Sequence, residues 1–456
     1  MMMRGVHMSD KRLIKGGIIV TMDKDRRIIE NGYIIVEDGL ITAIGKYDDV
    51  KNELSSIDET IDATKEIILP GLICSHTHLY GILLRGAPLK IKPPTDFVQN
   101  LLEIWWRVDS ALTHDDAYAS ALAASYEMML SGITFFADTY SGPNSITNVL
   151  DYIEKGVNEV GIRGMLAFET TERENKEQAK KGLEENIRFI KKTTKSDKIR
   201  GMYSIHASFT VSDEHIKDVI DAQRLVPAPI TIHTSEGLVD LYHNLERYGK
   251  RTVERLNDVG LLGEHTILAH TVHINNDEIE LIRKTNSKVA HNPLSNMLNA
   301  VGVPPVVTML EKNITIGLGN DGFIFDAFEN IRGAFLLHKV HWRDPRVISP
   351  LTVLEMSTIN GAKLYGLDNE IGSLETGKKA DIVILNPKPA VTPIFEKSVI
   401  GYIVYGMTIN NIDKVMVDGE ILVDNGQAIK IDENKIEETL LKHSTKLWER
   451  LDIKVE

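Results

Sequence analysis

Pro70-Gly71-Leu72-Ile73-Cys74-Ser75-His76-Thr77-His78-Leu79-Tyr80-Gly81 decides how the rest of the chain is read. The apolar run Ile67-Ile68-Leu69 leads into its Pro-Gly pair, and a second apolar segment, Leu72-Ile73-Cys74, follows. Side chains two apart along a β-strand share a face. His76 and His78 therefore present two imidazoles side by side at a strand end. Neutral imidazole is a common ligand for zinc and iron. An isolated His-x-His is more often two unrelated surface residues, so further ligands must be found along the chain.

Downstream of Gly71 the pattern alternates between strand and helix. Eight apolar strand candidates are Leu72–Ser75, Ile133–Ala137, Ile162–Phe168, Ile199–Ile205, Ile230–His233, Thr266–Ala269, Lys288–His291 and Ile314–Gly317. Segments with helical spacing lie between them: Asp115–Ser131, Ser145–Val160, Lys176–Lys192, Asp213–Ala222, Leu238–Val259 and Asn276–Thr285. This is the pattern of a (β/α)8, or TIM, barrel. An open doubly wound sheet is the alternative, but no Gly-rich fingerprint follows the first strand.

Upstream of Pro70 and beyond residue 366 the pattern is strand and turn. Asp38-Gly39 and Asp418-Gly419 each sit between apolar runs, which signals two hairpins. The expected α/β architecture is a barrel, 71–365, inserted in a small β-sandwich built from both chain ends, 1–70 and 366–434. A C-terminal helix, 435–456, follows.

The chain has 456 residues, 43% hydrophobic and 26% charged, with a net charge of -13. That charge argues against nucleic acid or an anionic membrane surface as partner. No apolar run approaches the ~18 residues of a membrane span. The N-terminal MMMRGVHMSD has no apolar core of a signal peptide. Cys74 is the one cysteine, which excludes an internal disulfide and suits a reducing cytoplasm. Its place in the first strand reads as a small core residue.

Barrel active sites lie at the C-terminal ends of strands. Strand 1 closes with His76 and His78, strand 4 with His206, strand 5 with His233-Thr234-Ser235-Glu236 and strand 6 with His270, with His273 beyond. Strand 7 closes with His291-Asn292-Pro293, and strand 8 runs into Asp321. Core packing does not explain polar residues recurring at one end of successive strands. His76, His78, His233 and Asp321 suit a single divalent ion with an open position, which makes hydroxide available near neutrality. Glu236 is the candidate general acid/base. Asp321 can also accept a proton. Glu169 and Tyr203 lie near strand ends without motif support.

PGLICSHTHLYG, HTSEG, LAHTVH, HNPLSNM and GLGNDG, in that order, resemble the motifs of strands 1, 5, 6, 7 and 8 in the deaminase and chlorohydrolase branch of the amidohydrolase superfamily. The resemblance spans nearly the whole chain. WWRVDSAL, HASFTVSDE and YGKRTVERL are similar to the SsnA-like aminohydrolases, and the methylthioadenosine and S-adenosylhomocysteine deaminases are similar too. The resemblance implies a distorted barrel with a composite β layer and one metal ion, zinc first and iron second. It implies His76, His78, His233 and Asp321 as ligands, Glu236 as proton donor to a ring nitrogen, and His270 as the residue that orients the hydroxide. No lysine closes strand 4, and Lys198 precedes it, which favours a mononuclear site.

The implied activity is hydrolytic deamination of a heteroaromatic amine such as a purine, pyrimidine, nucleoside or azine, with water consumed and ammonia released. Dechlorination and cyclic amide hydrolysis on the same scaffold are alternatives, as is a non-catalytic scaffold. His206, Asn292 and Trp105 are candidate substrate contacts. Those deaminases carry a Glu and Trp motif that contacts ribose, and the matching region here, LLEIWWRVD, offers Glu103, Trp105 and Trp106. A homo-oligomer, dimer or higher, is expected.

Overall fold

Ile67–Pro70 pairs antiparallel with Ile382–Leu385, so the two ends of the chain meet in one sheet immediately before the first barrel strand. The computed structural model describes residues 11–51, 57–89, 91–388 and 392–453. Residues 1–10, from which the lack of a signal peptide is read, lie outside these. The shared sheet runs Gln427–Ala428, Glu420–Asp424, Ile412–Val417, Ile382–Leu385, Ile67–Pro70, Ile18–Val20, Ile28–Ile29. A second sheet runs Leu40–Lys46, Gly32–Glu37, Lys11–Lys15, Glu59–Asp62.

The inner strands of the shared sheet, Ile18–Val20, Ile67–Pro70 and Ile382–Leu385, read as unbroken apolar runs because both faces are covered. Ile68, Ile382, Ile384 and Met416 pack toward the smaller sheet with Ile14 and Ile34. Their neighbours Ile67, Leu69, Val383, Leu385, Val415 and Val417 belong to the core beneath the barrel helices. Both Asp-Gly hairpins turn through left-handed backbone, with φ of 52° and 79° at Asp38 and Gly39 and 51° and 74° at Asp418 and Gly419.

The barrel strands are β1 (Leu72–Thr77), β2 (Ile133–Tyr140), β3 (Arg163–Thr170), β4 (Tyr203–Ala207), β5 (Ile230–Thr234), β6 (Thr266–His270), β7 (Lys288–His291) and β8 (Ile316–Leu318). Each pairs in parallel with the next. A parallel bridge from Thr77 to Asp321 joins β8 back toward β1. Gly71 sits at the sheet-to-barrel passage, where an added Cβ would lie 2.0 Å from Thr134 Oγ1. The barrel interior holds Ile73, Phe135, Met165, Ile267 and Ala290, and is plugged by Ala362, Leu364, Tyr365 and Ile371. Tyr365 donates its hydroxyl to the Ser75 carbonyl at 2.6 Å.

Three expected elements differ. The helix expected over Leu238–Val259 is two helices, Leu238–Tyr248 and Thr252–Asp258, because Gly249 closes the first in left-handed backbone at φ 64°. The helix expected from Ser145 starts at Val149, since Asn148 is left-handed at φ 64°. The strand expected over Ile199–Ile205 is broken at Met202 into Ile199–Gly201 and β4. The C-terminal helix, Glu433–Arg450, lies on the helix His114–Leu130 and braces the loop after β1, with Trp448 Nε1 donating to Leu83 O at 2.8 Å.

One buried ion pair ties the sandwich to the barrel. Arg163, at the start of β3, donates Nε to Asp381 Oδ2 at 2.7 Å and Nη2 to Asp381 Oδ1 at 3.2 Å. It also meets Asp418 of the C-terminal hairpin. Arg163→Ala leaves the buried Asp381 carboxylate without its cation, while the partly exposed Asp418 keeps Lys379, and we expect a loss of about 3–5 kcal/mol. Chemical denaturation measures it, and unchanged metal content would show that the site survives.

Candidate metal centre and active-site cavity

Strict alternation from Ile73, which faces the barrel interior, would turn His76 outward. A register shift between Cys74 and Thr77 breaks the alternation and brings His76 and His78 to the mouth. His78 Nδ1 lies 2.8 Å from Thr139 O, and His233 Nδ1 lies 2.8 Å from His206 O. A carbonyl only accepts, so both rings carry a proton on Nδ1, and Nε2 is the atom each turns toward the other groups of the cluster. Those two Nε2 atoms face each other at 3.0 Å. At that distance the pair must share a proton or hold a metal ion between them.

Asp321 Oδ1 stands 3.3 Å from His76 Nε2 and 3.2 Å from His78 Nε2. Neither His76 Nε2 nor Asp321 Oδ1 has a hydrogen-bond partner, although both are buried. The donor atoms of His76, His78, His233 and Asp321 all lie within 4.8 Å of one another. This set fits a divalent ion with nitrogen and oxygen ligands. Burial pushes the His76 pKa down to about 4 and that of His233 well below its usual value, so both stay neutral and ready to bind. Burial also depresses His78, but the Asp321 carboxylate overcomes it and lifts His78 to about 10. Asp321 thus calls for a positive partner at this point.

Glu236 follows β5 and is buried beside this cluster, with Oε2 3.6 Å from His270 Nε2. Burial lifts its carboxyl to about 7; His270 opposes the rise and the charge of Asp321 adds to it. His270 Nδ1 meets Asn296 Oδ1 at 2.8 Å, which leaves its Nε2 as an acceptor, approached by Asn292 Nδ2 at 3.2 Å. His270 and Asp321 close their strands in left-handed backbone, φ 69° and 61°. Such strain costs about 1–3 kcal/mol per residue and gathers at functional sites.

The short helix Pro293–Leu298 organises these groups. Ser295 bonds to Asp321 Oδ2, Asn296 holds His270, and Asn299 just beyond reaches Glu236 Oε1 at 3.4 Å. The motif HNPLSNM drew attention to Asn292, yet Asn292 is fully buried behind His270 and is not among the residues that line the cavity.

The cavity is lined by His78, His233, Glu236 and Asp321 at one end and by Phe97, Leu101, Trp105, Trp106 and Phe209 around it. His206 lines it from the bulge between Ile205 and Ala207. Trp105 packs edge-on to Tyr80 and Trp106 to His206. In LLEIWWRVD the carboxylate that reaches the cavity is Asp109; Glu103 is exposed. Asp109 takes Arg173 Nη2 at 2.6 Å and Ser141 Oγ at 3.0 Å. Glu169 also lines the cavity, its carboxyl pushed to about 7 chiefly by burial. Tyr203 lies at the opposite end of β4, its hydroxyl on Val226 O at 2.9 Å.

A barrel that gathers such donors at its carboxyl mouth belongs to the metal-dependent hydrolases. The model of the amidohydrolase family matches residues 67–422, and the chain belongs to that family. It is 36% identical over 447 residues to the 5'-deoxyadenosine deaminase of Methanosarcina mazei, covering 96% of this chain and 99% of that one. It is 33% identical to the 5-methylthioadenosine/S-adenosylhomocysteine deaminase of Thermoanaerobacter pseudethanolicus, again over 96% and 99%. Its fold is that of a zinc-bound adenosine deaminase from Xanthomonas campestris, with a TM-score of 0.87, 21% identity, and coverage of 96% and 98%. The chain is a hydrolase of carbon–nitrogen bonds other than peptide bonds.

Metal analysis of the purified protein should find about one divalent ion per chain. His233→Ala should lose most of it, because the remaining donors no longer enclose the point between His78 and Asp321. A fully loaded, active variant would refute the ligand set.

Proposed function

We propose that the chain deaminates a 6-aminopurine nucleoside whose 5′ carbon carries no phosphate, releasing ammonia. Glu236 carries this reading: a carboxyl held near neutral pKa, on the cavity side of the donor cluster. An amino group on an aromatic ring leaves only when the adjacent ring nitrogen takes a proton, and a buried acid of that pKa can give one at neutral pH. His270, its proton committed to Asn296, offers Nε2 to receive a proton from the attacking water. When bound, the divalent ion, which we take to be zinc, supplies hydroxide near neutrality. His76, His78, His233 and Asp321 would hold it.

The cavity walls support the nucleoside. Asp109, Glu169, Asp240 and Asp321 make the lining acidic, and the nearby guanidinium of Arg173 is committed to Asp109. Among the described residues that line the cavity there is no lysine or arginine to meet a phosphate. Trp105 and Trp106 offer flat apolar surface for a purine or a 5′ substituent.

We also read the protein as a cytoplasmic homo-oligomer. Among the described residues no helix is long and apolar enough to cross a membrane, and Cys74 is a buried free thiol. Leu336, Val340 and Tyr405 expose an apolar strip on two adjoining helices.

Ammonia release from 5′-deoxyadenosine, 5′-methylthioadenosine, adenosine, AMP and a chlorotriazine tests the reading. We expect turnover of the neutral nucleosides and none of AMP; chloride release from the triazine without nucleoside turnover would overturn it. Glu236→Gln keeps the shape but not the proton. It should stay metal-loaded and lose on the order of 10²-fold or more in turnover. Trp105→Ala should raise KM well beyond any change in metal content, as a cavity wall rather than a packing residue would.

A further inference from the structure

The cover of the cavity and its two carboxylates are joined by a chain of hydrogen bonds that runs in one direction. The cover is residues 97–111, whose Phe97, Leu101, Trp105 and Trp106 line the cavity. Its second half is anchored: Asp109 takes Arg173, and Arg450 Nε donates to Ala111 O at 2.8 Å. In its first half, among the described residues, one side-chain hydrogen bond reaches the barrel. Asn100 Nδ2 donates to Asn299 Oδ1 at 3.0 Å. Asn299 Nδ2 then donates to Glu236 Oε1 at 3.4 Å and to Ser295 Oγ at 3.3 Å. The Ser295 hydroxyl spends its hydrogen on Asp321 Oδ2.

A side-chain amide has one accepting end and one donating end. By claiming the oxygen of Asn299, Asn100 decides that its NH2 faces Glu236. Turned over, Asn299 would aim its oxygen at that carboxylate, and two acceptors would face each other. Phe97 lies against Gly237, the residue after Glu236, where an added Cβ would come within 2.5 Å of the ring. A turn of wider, π-helical backbone, Leu101–Trp105, follows Asn100, a local feature that recurs at functional sites.

We propose that Asn100 is a positioning residue: with the cover seated on a substrate, it orients Asn299, which aligns Glu236 to deliver its proton. The inference rests on Glu236 being the proton donor. Seating of the tryptophans is thereby read out at the acid, so that a ligand too small to seat the cover is turned over slowly even when bound.

The test is steady-state kinetics on the metal-loaded protein, with whichever nucleoside it turns over. Asn100→Ala should lower kcat by roughly tenfold with KM and metal content little changed, the scale of a small misplacement of a catalytic group. Asn299→Ala should cost at least as much, and the double variant no more than Asn299→Ala alone. Asn100→Asp, which presents an acceptor to Asn299 and turns its amide, should be slower than Asn100→Ala. That variant carries the test by itself if Asn299→Ala does not fold. In a Glu236→Gln background, Asn100→Ala should have no further effect on kcat. A rise in KM at constant kcat, or losses that multiply in the double variant, would overturn the proposal and leave Asn100 as a plain wall contact. Near-native turnover by Glu236→Gln would overturn the Glu236 reading as well. A slow Glu236→Gln beside an Asn100→Ala and Asn100→Asp of normal kcat overturns this inference alone.

Discussion

Two imidazole Nε2 positions 3.0 Å apart, which need a proton or a metal ion between them, are the constraint from which the rest of this structure follows. Each is set by a backbone carbonyl behind the ring, Thr139 O for His78 and His206 O for His233. Those carbonyls belong to β2 and β4, so four strands must end in register for the two to meet at all. Asp321, brought next to β1 by the closing bridge to Thr77, adds the negative charge. Separate strands thus contribute to an arrangement that calls for positive charge at its centre, a proton on His78 or a metal ion. Metal binding and barrel closure are two views of the same free energy.

Much of this was legible in the sequence because strand ends obey simple geometry. Period-2 spacing marked His76 and His78, and the residues closing strands 5 and 8 supplied His233 and Asp321. The composite sandwich was legible from two Asp-Gly hairpins at opposite ends of the chain. What stayed hidden depends on irregularity. Glu169 was visible near a strand end but had no flanking motif to give it a role, and Asp109 reaches the cavity from a helix that follows a wide turn no local pattern announces. Ser295 and Asn296 stood inside the motif HNPLSNM without an assigned role and Asn299 lay just past it, and only the fold reveals that each faces a different catalytic candidate. Asn292 stood in a motif, but the same motif serves to hold His270 from behind. The break at Gly249 inside Leu238–Val259 was signalled by glycine itself and was outweighed by a long helical period.

The barrel is stiff at its base and adjustable at its mouth. Tyr365 and its neighbours fill the base with apolar side chains, and the Arg163–Asp381 pair bolts the base to the sandwich. Above, the cover is held at its far end and tethered by one amide pair at its near end. That distribution suits a site whose metal must stay put while its substrate comes and goes.

The sheet shared by the two chain ends has a consequence for synthesis. Ile67–Pro70, which launches β1 and its two histidines, leaves the ribosome early, whereas its partner Ile382–Leu385 is made more than three hundred residues later. Until then the launching strand has an open edge on that side, with apolar residues on both faces. A nascent chain therefore carries a sticky, unpaired strand through most of translation. The barrel's first strand gains its final support only when the C-terminal region emerges, so a chain cut short before residue 382 would lack the clamp on the segment that bears half of the candidate metal ligands.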